Sequence, residues 1–96
     1  MIPTDQAINK IADIVKTIAN STRVQIMLLL SQTDALSVSS LQQQLQIEQS
    51  VLSHALILMK DRGILSSQRR GKEMYYSLAY PDAMEIIYWA VNRVKR

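Results

Sequence analysis

The stretch QSVLSHALILMKDRGIL, from Gln49 to Leu65, carries small uncharged hydrogen-bonding groups where an exposed helix usually carries Glu and Lys. Gln49, Ser50, Ser53 and His54 are followed by Ile57, and no charge intervenes before Lys60. These side chains suit recognition better than bond making. Short neutral donors and acceptors match base edges in a DNA major groove, and a bare Ile suits a thymine methyl. A solvated helix face with an incidental Ile contains the same residues, so the reading depends on what surrounds the helix.

A second group follows in RRGK. Arg69, Arg70 and Lys72 stand around Gly71, with Glu73 as the single acid of residues 65–80. The formal net charge is +3, and it is not evenly spread. Cations and anions cancel over residues 1–36 and again over 37–64. Residues 65–80 hold an excess of +2 and residues 81–96 an excess of +1. A local basic spot suits a polyanion such as double-stranded DNA. Ordinary solubilising charge gives the same count.

Catalytic chemistry finds little support. The chain has no Cys and one His, no paired acids in a cleft pattern and no Gly-rich phosphate loop. Ser53 and His54 form no dyad, because adjacent residues of a helix point apart. We therefore expect no enzyme, no cofactor and no metal site. The absence of Cys also removes disulfides and thiolate ligands.

Ninety-six residues, 48% of them apolar, suit a single domain over 1–96 with a modest core. No apolar run approaches the ~20 residues of a membrane span. The N-terminal MIPTDQAINK lacks a signal-peptide pattern. A cytoplasmic protein with no membrane partner is expected.

With only Pro3, Gly63, Gly71 and Pro81 as punctuation, the chain should be mostly helical. Ile8, Ile11, Val15 and Ile18 are at helical spacing over residues 4–19, and Ala7 and Ile14 add a second apolar strip. Asn20 can cap a second helix over about 21–32, whose IMLLL is apolar on every side and reads as central core. TDALSV breaks the pattern, with room for a short strand, and Ser37 or Ser39 caps a third helix. After a tight turn at Ile47 and Glu48, a fourth helix runs to Asp61 and stops at Gly63, which tolerates positive φ. Two strand-like runs then flank Arg70-Gly71-Lys72, a hairpin signal, and Pro81 begins a last helix.

That order is four helices, two strands and a helix: a mainly α winged helix-turn-helix of about five helices plus a β-hairpin wing. The helix-turn-helix falls at about 38–61 and the wing at about 64–79. Leu52, Ala55, Leu56 and Met59 would anchor the fourth helix. Its opposite side, with Gln49, Ser50, Ser53, His54 and Ile57, would face DNA together with Arg69, Arg70 and Lys72.

The same residues resemble the ArsR/SmtB family of small bacterial repressors. IANSTRVQIMLLL is similar to a family stretch in which Asp-Pro-Thr-Arg precedes an apolar run. LSVSSLQQQLQIEQSVLSHALILMKDRGIL resembles the family's helix-turn-helix, and RRGKEMYYSL its wing. The resemblance covers about residues 11–80 and implies a homodimeric repressor whose first and last helices form the interface. Departures bear on the effector. The family's Cys pair is absent, and where other members carry His and acidic ligands this chain has Tyr80, Asp82, Arg93 and Arg96. Arginine cannot ligate a metal, so metal sensing is not expected, and the effector is unknown. Ile57 stands where a basic residue is frequent.

Dimerisation also has support from the residues themselves. Ala83, Ile87, Ala90 and Val94 form one apolar stripe of the last helix, about 81–95, and Met84, Tyr88 and Val91 another. A terminal helix of a small domain cannot bury two stripes alone. The expected interface is Ile8, Ile11 and Val15 with Ala83, Met84, Ile87, Tyr88, Val91 and Val94, closed by two-fold symmetry. Trp89 is an interface anchor or an effector contact. The other reading of the whole chain is a winged-helix protein-interaction module that does not bind DNA.

Overall fold

The computed structural model describes residues 1–95; Arg96, one of the family's ligand places, lies outside them. Helix α1, Asp5–Ile18, starts where the Thr4 side chain accepts from the Ala7 amide, with Asp5 in its first turn and Lys16 in its last. Both charges complement the helix dipole. Asn20 caps α2, Ser21–Leu30, by accepting from the Arg23 amide at 3.1 Å. Strand β1 is the short Leu36–Ser37. Ser37 then caps α3, Val38–Leu45, accepting from the Ser40 amide at 3.0 Å. Of the two serines proposed for this cap, it is Ser37.

Helix α4, Gln49–Asp61, ends in a Schellman arrangement. The Gly63 amide donates to Lys60 O and the Ile64 amide to Met59 O, both at 2.9 Å. Gly63 has φ +77°, and Ile64 and Met59 are both buried. This closure fixes where the chain leaves α4, and hence where the hairpin begins. Strands β2, Leu65–Arg70, and β3, Glu73–Leu78, pair in register from Leu65↔Leu78 to Arg70↔Glu73. Their two-residue turn has positive φ at Gly71, +64°, and not at Lys72. That excludes the I′ turn, which needs both, and matches II′ with Gly first. β1 adds to β3 through Leu36↔Tyr76 and Ser37↔Tyr75, giving an antiparallel sheet of order β1-β3-β2. The fold is a winged helix-turn-helix, and the short strand anticipated in TDALSV becomes the sheet's third member.

Ile26, Met27 and Leu30 of α2 sit in the core with Leu41 of α3 and Leu52, Ala55, Leu56 and Met59 of α4. The last helix, α5, Met84–Val94, follows a 3₁₀ turn, Pro81–Ala83. The face that α5 turns inward corrects part of the expected interface. Met84 is 2% exposed and Ile87 5%, both inside the protomer's own core, and Ala83 and Val91 pack against it. The uncovered apolar side is instead Ile86, Tyr88, Trp89 and Val94. On α1, Ile8, Ile11, Ile14 and Val15 are all exposed, as the reading of a second surface requires.

Candidate nucleic-acid interface

On α4 the two faces separate cleanly. Leu52, Ala55, Leu56 and Met59 are buried, while Gln49, Ser50, His54 and Ile57 are exposed and Ser53 is half-buried. Ile57 leaves 58% of its surface open, unusual for an aliphatic side chain flanked by core residues.

The reading groups do not form one set. Gln49, Ser53 and Ile57, each four residues from the next, line a cleft between α4 and the hairpin, and Lys72 and Glu73 border it. Its floor is Leu56, Met74 and Tyr76, with Val38 and Ser39 at the start of α3. Ser50 and His54, also four apart, turn the other way, toward a recess shared with Asn20, Thr22 and Arg23 at the start of α2. The split comes from the hairpin on one flank of α4 and the start of α2 on the other. Arg23 is fixed there by a bond from its Nη1 to Thr17 O at 3.1 Å, which joins the start of α2 to the end of α1.

The wing divides its cations too. Side chains alternate across a strand. Leu65 and Tyr76, both buried, mark the core side of the hairpin, and Arg69 lies on that side opposite Met74. Arg70 lies on the other, with its guanidinium carbon 4.6 Å from the centre of the Tyr75 ring and its Nη2 donating to Gln68 Oε1 at 3.5 Å. Lys72 projects from the turn. All three cations are exposed. The aromatic face holds Arg70 by a cation–π contact without consuming its charge.

Sequence reasoning missed two parts of this surface. Thr22 and Arg23 stood out only as part of a family stretch. Glu73 stood out only as the single acid of the hairpin and Ser39 only as a possible helix cap, and nothing linked the two. The Ser39 hydroxyl donates to Glu73 Oε1 at 2.7 Å across 34 residues of chain, which no local pattern reveals.

Chemically, the arrangement offers neutral hydrogen-bonding groups and an aliphatic contact on one rigid helix, flanked by cations on a hairpin. It contains no nucleophile paired with a base. Among the described residues, no three of His, Cys, Asp and Glu lie close enough together to hold a metal ion.

Comparison with known proteins identifies the family and the fold. The family model described as bacterial regulatory protein, arsR family, matches residues 20–67, half the chain, from the cap of α2 into β2. The transcriptional repressor PagR of Bacillus anthracis is 36% identical over 76 residues, 79% of this chain and 76% of PagR. Its crystal structure superposes with a TM-score of 0.77 at 31% identity, covering 91% of this chain and 99% of that one. The uncharacterized HTH-type transcriptional regulator Rv0081 of Mycobacterium tuberculosis is 33% identical over 76 residues, 79% of this chain and 67% of Rv0081. Its crystal structure gives a TM-score of 0.84 at 30% identity over 97% of this chain and 93% of that one. The homodimeric winged helix-turn-helix DNA-binding domain Mb0332 of Mycobacterium bovis, 23% identical, shares the fold with a TM-score of 0.83 over 97% of this chain and 88% of that one. Matched in its helix-turn-helix by the family model, and over most of its length by two relatives at least 30% identical, the chain belongs to the ArsR family of bacterial regulatory proteins.

Proposed function

We propose that the protein is a homodimeric, sequence-specific transcriptional repressor of the cytoplasm that binds double-stranded operator DNA and needs neither cofactor nor metal. The observation that carries this is the stripe Gln49, Ser53, Ile57 on α4, open to solvent beside a hairpin bearing Arg69, Arg70 and Lys72. α4 enters the major groove, where Gln49 and Ser53 meet base edges and Ile57 a thymine methyl. The hairpin cations meet phosphates or a narrow minor groove, and so position the protein without reading sequence. Ser50 and His54 face the opposite wall of the groove with Thr22 and Arg23.

The dimer rests on the uncovered apolar sides of α1 and α5. Ile8, Ile11 and Val15 stand 42–49% exposed, and Tyr88 and Val94 are 48% and 83% exposed. The name PagR carries supports repression. Independence of metal is supported by the ligand chemistry. The chain lacks Cys, and Arg93 occupies a family ligand place with its guanidinium carbon 4.5 Å from the Trp89 ring centre. No helix among the described residues is long and apolar enough to cross a membrane.

Selection of bound duplexes from a random library tests the reading. A two-fold symmetric consensus is expected. If no sequence is enriched and no duplex binds even at low salt, the chain is a winged-helix interaction module instead.

A further inference from the structure

We propose that Glu73 is a positioning residue of the DNA interface: its carboxylate, bonded to Ser39, holds the wing at a fixed angle to the recognition helix, and discrimination between duplexes depends on that bond. The inference rests on the DNA-binding reading above. β1 pairs with β3 at only two positions, Leu36↔Tyr76 and Ser37↔Tyr75, because the chain turns into α3 at Val38. The same antiparallel register carried two residues further sets Ser39 opposite Glu73. Where the backbone ladder has stopped, the Ser39 hydroxyl donates to Glu73 Oε1 at 2.7 Å. The pair therefore fastens the tip half of the hairpin to the first turn of α3.

Both residues border the cleft that holds Gln49, Ser53 and Ile57. A carboxylate is an odd group there, since its charge opposes any polyanion that approaches. Arg70, its partner in the hairpin register, is directed to Tyr75 and Gln68 rather than to the carboxylate. A group that weakens binding to every duplex makes sense if it orients the wing. Non-specific binding, carried by phosphate contacts, tolerates a wing that swings. Base reading does not, because the phosphate contacts of the wing set the register of the helix.

The test uses the parent, Glu73→Gln, Glu73→Ala and Ser39→Ala, each titrated with the selected operator and a scrambled duplex at two salt concentrations. Glu73→Gln keeps an acceptor for Ser39 and removes the charge. Both duplexes should bind it more tightly by a similar factor, the ratio of their affinities staying within about twofold of the parent's. The two alanine variants lose the bond, and that ratio should fall about 3- to 10-fold, the worth of one hydrogen bond in a binding constant. Amide exchange over Leu36–Ser37 in the free proteins gives a readout without DNA: faster in both alanine variants, parental in Glu73→Gln. The proposal is overturned if Ser39→Ala keeps the parental ratio, if Glu73→Gln lowers it as far as Glu73→Ala, or if exchange is unchanged in both alanine variants. A parent that prefers no duplex, while exchange still separates the variants, identifies the DNA reading as the part that failed and removes this consequence with it.

Discussion

Tyr88→Ala and Ile87→Ala change neighbouring residues of α5 and should fail in different ways. Ile87 is 5% exposed and packs among the core residues of its own protomer. Truncating such a side chain removes about 2–5 kcal/mol. The whole domain is stable by only about 5–15 kcal/mol. Tyr88 is 48% exposed. For an aromatic side chain of roughly 200 Å², that leaves about 100 Å² to be covered by a partner. At about 25 cal/mol per Å², covering it contributes about 2.5 kcal/mol per protomer, or about 5 kcal/mol in a two-fold dimer. This is an upper figure, as it assumes complete burial, and it corresponds to a rise in the dimer dissociation constant of at most about 10³- to 10⁴-fold. Sedimentation equilibrium across the micromolar range, paired with thermal unfolding at each concentration, separates the two effects. The melting temperature of an associating protein rises with concentration. The parent should be dimeric, Tyr88→Ala a folded monomer over much of the range, and Ile87→Ala lower melting at every concentration. A parent that remains monomeric at high micromolar concentration refutes the reasoning. So does an Ile87→Ala protein that melts like the parent while its protomers separate.

Other substitutions probe the two halves of the DNA surface. Arg70→Ala combined with Lys72→Ala should weaken operator and scrambled duplexes alike, and make the log–log salt slope shallower by about 0.9 for each phosphate left without its cation. Ser53→Ala or Gln49→Ala should cost about 1–3 kcal/mol on the preferred duplex and little elsewhere, with the slope nearly unchanged. Titrations in which the wing variant selectively loses the operator, while the helix variants weaken both duplexes, would reverse the assigned roles. Zinc, nickel, copper or arsenite in modest excess should leave operator affinity unaltered; a stoichiometric effect of any of them would contradict independence of metal. Gly71→Ala meets no atom within 4 Å of its new Cβ, so only the backbone at φ +64° resists it. Roughly 1–2 kcal/mol of destabilisation follows from that strain, and a variant melting with the parent would contradict the turn assignment.

Most of the fold was legible because its determinants are local. Asn20 and Ser37 cap the helices they precede, Gly63 ends α4, and Gly71 makes a tight turn between two strand-forming runs. The face that α5 buries was not legible. Both of its stripes are apolar, and the helix buries the seam between them, Ala83 and Ile87 from one and Met84 and Val91 from the other, which a hydrophobic pattern apolar on both sides does not single out. Ile86 was overlooked as uncovered surface for the same reason. At the candidate site, helical spacing put Ser50, Ser53 and Ile57 on one stripe with Gln49 and His54 beside them, whereas the structure groups Gln49, Ser53 and Ile57 in one cleft and Ser50 and His54 in another recess. Spacing alone could not have parted them, because Ser50 with Ser53 and His54 with Ile57 are also neighbours at i and i+3; the division comes from the hairpin on one flank and the start of α2 on the other. The Ser39–Glu73 bond lay beyond any such pattern, because it depends on β1 joining β3, a pairing of just two residues.

The separation of the two faces of α4 bears on how this protein could diverge. Gln49, Ser50, His54 and Ile57 contribute nothing to the buried interior, and Leu52 and Met59 are hidden from any ligand. Mutation on the outer side therefore meets almost no penalty from folding, where exposed substitutions away from special features change stability by only about ±0.5 kcal/mol. A lineage could drift to a new operator through viable intermediates, one base preference at a time. The scaffold would stay constant while its targets turned over, and paralogues with the same interior could come to ignore each other's promoters.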